Sequence, residues 1–204
     1  MFGVKEFAQV LEGVARRYGI TVHLQSEATA VDADRRTVTV VDHGNEDAET
    51  TLDYDVMHMV PPQSAPDWVK KTSLADPASP AGYVEIDKHT TQHTRNPNVF
   101  ALGDAGSSPN SKTGAAIRKQ APVGVTNPLD VMAGRPPSAS YGGYASCPLT
   151  TSRHSMLLAE FDYSMTPTPT IPVIDTLKER KDMWYLKRYG LPTMYWQAML
   201  RGLA

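Results

Sequence analysis

The 204-residue chain is 41% hydrophobic and 21% charged, which admits a packed core and argues against wholesale disorder. Its formal net charge of −2 argues against a nucleic-acid partner, and no apolar run approaches the roughly 20 residues of a membrane span. Residues 1–5 carry no secretory pattern, and the lone Cys147 rules out an internal disulfide, so a reducing, cytoplasmic compartment is the plain inference. The charge is uneven. Residues 176–204 hold six Lys/Arg against two acidic residues and so carry +4, which leaves −6 on the rest.

The spacing of Val4, Phe7, Ala8, Leu11, Val14, Ala15 and Tyr18 predicts a helix with one buried face, ended by Gly19. Ile20, Val22 and Leu24 alternate as a short strand would. The strand expected before the helix of such an αβ unit is not in this chain, which points to a missing preceding segment. A hairpin follows, with strands over 27–31 and 37–42, then an exposed acidic loop over 43–50. Residues 54–60 read as a buried strand stopped by Pro61 and Pro62. Residues 63–80 read as a proline-bearing loop with one helical turn near Trp68. Short strands are expected over 83–86 and 98–102. A helix over 112–123 is expected to kink or end at Pro122. Arg135-Pro136-Pro137 and Gly142-Gly143 mark a linker. Residues 157–163 resemble a strand and 164–172 an extended connector. Asp175 is placed to cap a last helix to Tyr189, broken by Gly190 and Pro192, with Pro192 opening a second short helix.

The densest chemical signal is Leu102-Gly103-Asp104, followed by a Ser/Pro/Asn loop and a helix opening at Thr113-Gly114-Ala115. Glycine lets a ligand approach the backbone, a carboxylate accepts from sugar-alcohol hydroxyls, and a small-residue helix start offers free N–H groups. A plain strand–turn–helix capped by Asp104 fits the spacing equally well. Cys147 lies among small residues before Pro148. A lone cysteine is most often a small buried hydrophobe. His154 reads as an exposed loop residue and His58 as structural within a buried strand. His89 and His93 lack a third ligand, so no metal site is expected.

Residues 97–105 resemble the second flavin-contacting motif of two-dinucleotide-domain flavoproteins. Residues 111–123, 141–149, 158–163 and 178–196 resemble sulfide:quinone oxidoreductases, with weaker similarity at Phe2-Gly3-Val4 and over 59–64. The resemblance covers essentially this whole chain, but only about the second half of a typical family member. It implies an α/β chain: an incomplete two-dinucleotide-binding-domain flavoprotein fold with a C-terminal α+β extension. The implied pieces are a partial second dinucleotide-binding-like domain (1–97), the end of the FAD-binding domain (98–137) and a C-terminal domain (138–204).

By that resemblance Asp104 binds the ribityl and phosphate part of FAD, while Lys112, Thr113, Gly114 and Ala115 face its ring. Cys147 matches one of two redox cysteines that take up sulfide. Its partner cysteine would lie upstream, and Ser152-Arg153-His154-Ser155 departs from the family pattern beside it. The basic, aromatic tail implies contact with a membrane surface, with Phe161, Tyr185, Tyr195 and Trp196 as candidates to line a quinone pocket. No Gly-x-Gly-x-x-Gly is present to hold the FAD pyrophosphate. Sulfide and quinone are the expected substrates, with a missing N-terminal half as a partner. Two alternatives stay open: another flavin-dependent quinone reductase, of the NADH:quinone type, and a non-catalytic split-gene half or remnant.

Overall fold

A computed structural model describes residues 1–203. Ala204, the last residue of the expected 138–204 domain, lies outside the described residues. The chain divides into two units, Met1 with Leu11–Pro62 and Phe2–Val10 with the residues from Gln63 onward. Helix α1, Lys5–Arg17, contributes to both. Its predicted face is real: Val4 and Phe7 are fully buried and Ala15 nearly so. Tyr18 is the exception, lying outside the helix and 54% exposed. Gly19, at φ 65°, ends the helix, and the N–H of Ile20 donates back to the Ala15 carbonyl at 2.9 Å.

The first unit carries an antiparallel meander of β1 (Ser26–Asp32), β2 (Thr37–Asp42) and β3 (Ala48–Asp53), in the order β1-β2-β3. The predicted hairpin is β1 and β2, with Val31 opposite Val38. The predicted loop over 43–50 is shorter than expected, because β3 pairs with β2 and sets Leu52 opposite Val38. All of β3 is exposed, so no apolar alternation announces it. The predicted strand at Ile20, Val22 and Leu24 is absent, as is the one over 54–60. Ile20 and Leu24 are each 57% exposed and Val56 is 91% exposed. Apolar alternation makes a strand only where another strand takes its backbone N–H and C=O groups, and neither segment joins a described sheet. His58 is exposed in an irregular segment, not held in a buried strand.

The second unit is built on helix α3, Gly114–Met132, and the hairpin of β4 (Ala145–Thr150) and β5 (Met156–Phe161). A single helical turn, α2 (Asp67–Lys70), stands where one was expected near Trp68. The predicted strands over 83–86 and 98–102 shrink to isolated bridges, Val84 to Ala75 and Gly106, and Phe100 to Gln92. Helix α3 runs past Pro122 and Pro128, where a kink or stop was expected. Pro122 lies on the exposed side, where water can satisfy the carbonyl that its missing N–H leaves without an in-helix partner. The opposite side anchors the helix through Ala116, Gln120, Val123, Asn127 and Asp130, all buried. Three of these are polar, so hydrophobic periodicity passes over them. Each is satisfied: Asn127 donates to the Thr90 and Ala139 carbonyls at 2.8 and 3.0 Å, and Asp130 pairs with Arg135 at 2.6 Å.

Two core clusters result. Val4, Phe7, Ala145, Ala159 and Phe161 form one, while Ala116, Val123 and Tyr141 form the other. The C-terminal part differs from expectation. Asp175 caps no helix; its carboxylate accepts from the Leu177 N–H in a local turn. Helix α4 starts only at Lys181 and runs to Tyr185. A π-helical turn, Leu186–Gly190, leads directly into α5, Leu191–Gln197. Gly190 and Pro192 therefore change the helical pitch without breaking the path; Pro192, in the first turn, gives up an N–H that has no in-helix acceptor there. The fold is thus mixed helix and sheet, with antiparallel pairing in both described sheets.

Candidate functional site

The Gly-Asp turn and the start of α3 are locked together. Gly103 opens a 3₁₀ turn, Gly103–Ala105, at φ 61°, where a Cβ would meet Ile117 Cδ1 at 2.6 Å. Its N–H donates to Gln120 Oε1 at 2.7 Å. Asp104 sits exposed on this turn. Lys112 is half-buried: its Nζ donates to the Gly106 carbonyl and lies 4.0 Å from the centre of the Tyr83 ring. Burial lowers the pKa of this amine, and the nearby Asp104 carboxylate opposes the shift. Thr113 caps α3 by accepting the Ala116 N–H at 3.2 Å. Gly114 and Ala115 follow in the first turn, where N–H groups have no in-helix acceptor and the dipole is positive.

Cys147 lies mid-strand in β4, opposite Ala159 of β5, at the margin of the Phe161 core cluster. The approach to β4 depends on Gly143, whose φ is 87° and where a Cβ would collide with the Tyr163 ring. Beside Cys147, Glu160 is 2% exposed. Its Oε1 accepts from the hydroxyls of Tyr144 and Thr170, each at 2.5 Å, and its Oε2 from the Thr170 N–H at 3.1 Å. Burial, then the bond to Glu160, raises the Tyr144 pKa, so the phenol stays protonated and donating.

A cavity of about 630 Å³ joins these parts. Thr113, Gly114, Ala115, Cys147 and Tyr195 all line it, five of the residues singled out in the sequence. Asp104 and Lys112 lie just before this helix start and are not on the wall. Phe161 is not on the wall either: it is 2% exposed within the core, so its ring is committed to packing. Tyr185 and Trp196 are 58% and 62% exposed and lie off the wall. Tyr185 stacks on Tyr189, and Trp196 meets Tyr195 edge-on. Sequence reasoning passed over Arg118, Tyr144, Glu160 and Thr170, which also line the cavity. The one available signal was a glutamate inside the apolar run of β5.

The histidines are spread over several settings. His154 is exposed and stands edge-on to Trp184. His93 is 2% exposed and its Nδ1 accepts the Arg95 N–H at 3.0 Å, while His89 Nδ1 bonds the Tyr141 carbonyl. Among the described residues no group of three metal-ligating side chains occurs.

Burial alone pushes the Cys147 thiol above its ordinary pKa of 9.0. Only the thiolate is alkylated, so the rate of iodoacetamide labelling is expected to reach half its plateau at a higher pH than for a cysteine in an unfolded peptide. A midpoint at or below the peptide's would overturn burial as the dominant influence on this thiol.

A single thiol, a capped helix start and a buried carboxylate thus share one apolar cavity in a mixed helix–sheet chain. Comparison with known proteins makes this specific. The chain is 39% identical over 203 residues to the mitochondrial sulfide:quinone oxidoreductase of Dictyostelium discoideum, covering 99% of this chain and 43% of that protein. The Mus musculus protein of the same name is 38% identical over 203 residues, with 99% and 44% covered. That of Schizosaccharomyces pombe is 33% identical over 208 residues, with 99% and 44% covered. Over nearly its whole length, the chain is similar to the C-terminal part of these sulfide:quinone oxidoreductases. It spans less than half the length of these relatives. No family model matches the sequence. A chain in the cryo-EM structure of the Tetrahymena thermophila mitochondrial ATP synthase shares the fold, with a TM-score of 0.71 at 22% identity, covering 82% of this chain and 39% of that one. No helix among the described residues is long and apolar enough to cross a membrane.

Proposed function

We propose that this chain is the C-terminal part of an FAD-dependent sulfide:quinone oxidoreductase, completed by a polypeptide that supplies the rest of the relatives' length. The observation that carries this is the cavity: it sets the Cys147 sulfur, the α3 helix start and Tyr195 on one apolar wall. In this reading the flavin meets the chain at Asp104, Lys112 and Thr113–Ala115. The residues fit that part of the group. The Lys112 amine and the first-turn N–H groups are donors suited to an electron-rich ring, and the exposed Asp104 carboxylate suits sugar-alcohol hydroxyls. In this reading the pyrophosphate end and the paired dinucleotide-binding layers fall in the part of the relatives that this chain does not span. FAD, when bound, supplies the two-electron relay between sulfur and quinone.

The chain's own residues then divide the remaining work. Cys147 presents one sulfur of the pair, held by the ladder of β4 against β5. The apolar wall excludes water and takes the quinone, with Tyr195 beside it. The basic and aromatic stretch from Lys181 to Trp196 supports contact with a membrane surface.

The test is reconstitution. This chain alone, mixed with FAD and desalted, is expected to keep no flavin. Co-expressed with the N-terminal part of the Dictyostelium discoideum relative, it is expected to keep flavin and to reduce decylubiquinone when sulfide is added. Stoichiometric flavin on the chain alone would overturn the view that its site is partial. An assembly that reduces quinone with NADH but not with sulfide would overturn the sulfide assignment.

A further inference from the structure

Arg118 lines the cavity with no ion-pair partner among the described residues. It lies one turn into α3 and lines the cavity, where its Nη1 stands 3.9 Å from Met194 Sδ. A thioether sulfur is a weak acceptor for a guanidinium. Among the described residues no carboxylate forms an ion pair with Arg118. The acid on the same wall, Glu160, is committed to Tyr144 and Thr170. The rest of the wall is mainly apolar, with Leu158, Ile171, Ile174 and Leu186 among its residues. A half-buried guanidinium is costly to leave unpaired in such surroundings, and it prefers oxyanions that accept from two of its N–H groups. The first turn of α3, on the same wall, adds the positive end of a 19-residue helix.

We propose that the cavity is a binding site for a lipophilic monoanion, whose single oxyanion sits at Arg118 and whose apolar body lies along the leucine and isoleucine wall. A volume of about 630 Å³ is the size of a small-molecule site. Two chemical sources share this description: a medium-chain carboxylate and an acidic hydroxyquinone. Either would occupy the space that the proposed function gives to quinone, so the site would select for acidic ligands or be blocked by them. Nothing in the binding step needs flavin or sulfide, and its failure is therefore separable from that of the assigned activity.

The test uses two matched pairs titrated calorimetrically into the chain: decanoate against decanol, and 2-hydroxy-1,4-naphthoquinone against 1,4-naphthoquinone. At least one acid is expected to bind about tenfold or more tighter than its neutral partner. The pair that shows the preference identifies the source. Arg118→Met, close in length and apolar, is expected to bring acid and neutral ligand to parity, and Arg118→Lys to restore part of the preference. Unchanged far-ultraviolet circular dichroism in both variants checks that α3 persists. Equal binding within each pair, no binding of any probe, or a preference that survives Arg118→Met would overturn the proposal.

Discussion

In the reconstituted assembly, Cys147→Ser is expected to lower sulfide-dependent quinone reduction by on the order of a thousandfold or more. The reason is the bookkeeping of sulfur and electrons. In the proposed function, hydrosulfide would attack one sulfur of a disulfide between Cys147 and a second cysteine outside this chain. The old S–S bond would break, a new S–S bond would form as a persulfide, and the departing thiolate would carry the electron pair onward. Serine cannot form the first bond, and an alkoxide is a far poorer leaving group than a thiolate. The substitution is nearly isosteric at a half-buried strand position, so the hairpin survives it. Flavin content measured on the same preparation is expected to match the parent, because Asp104, Lys112 and the α3 start are untouched. Retention of more than a tenth of the parent rate would sink the redox role of Cys147.

The sequence disclosed this site unevenly, for physical reasons. Thr113, Gly114, Ala115 and Cys147 are polar, small or reactive residues in short contiguous runs, so a linear reading meets them together. Arg118 and Glu160 reach the same cavity from the second turn of a helix and the middle of a strand. Nothing local marks them, because their meaning comes from what the fold sets opposite them. Elements followed the same rule. Helix α1 was legible because its hydrogen bonds are internal and its apolar face is periodic, and the β1–β2 hairpin because its two strands are neighbours in sequence. The segments at 20–24, 54–60 and 98–102 have strand-like patterns and form no strand. Their patterns record burial against something, while Val56 and Val60 here are 91% and 70% exposed. The segment at 98–102 is instead held by residues 91–93, with one bridge from Phe100 to Gln92. Helix α3 was read too short for the opposite reason: its anchors Gln120, Asn127 and Asp130 are polar, and a hydrophobic pattern cannot show a face that is held by satisfied hydrogen bonds.

Phe161 is where the sequence reading and the structure part most clearly. The family resemblance named it for a quinone pocket, and the structure commits it to the core. Its ring meets Phe2 edge-on at 5.6 Å, Phe2 in turn meets Phe7 at 6.0 Å, and Val4, Ala145 and Ala159 complete the cluster. Two sequence-distant pieces, the start of α1 and the β4–β5 hairpin, are joined at this point. Phe161→Ala is therefore expected to cost about 3–5 kcal/mol, from lost transfer energy plus the void left among neighbours that cannot close around it. That is a large share of the roughly 5–15 kcal/mol that holds a domain folded. Urea denaturation would register it as a fall in midpoint with little change in slope. The same experiment separates the two roles of this residue. A ring that lines a ligand site is dispensable for folding, so a loss below about 1 kcal/mol would overturn the core placement. A core ring gives the large loss, and Phe161→Leu, which keeps much of the volume, is expected to recover more than half of it.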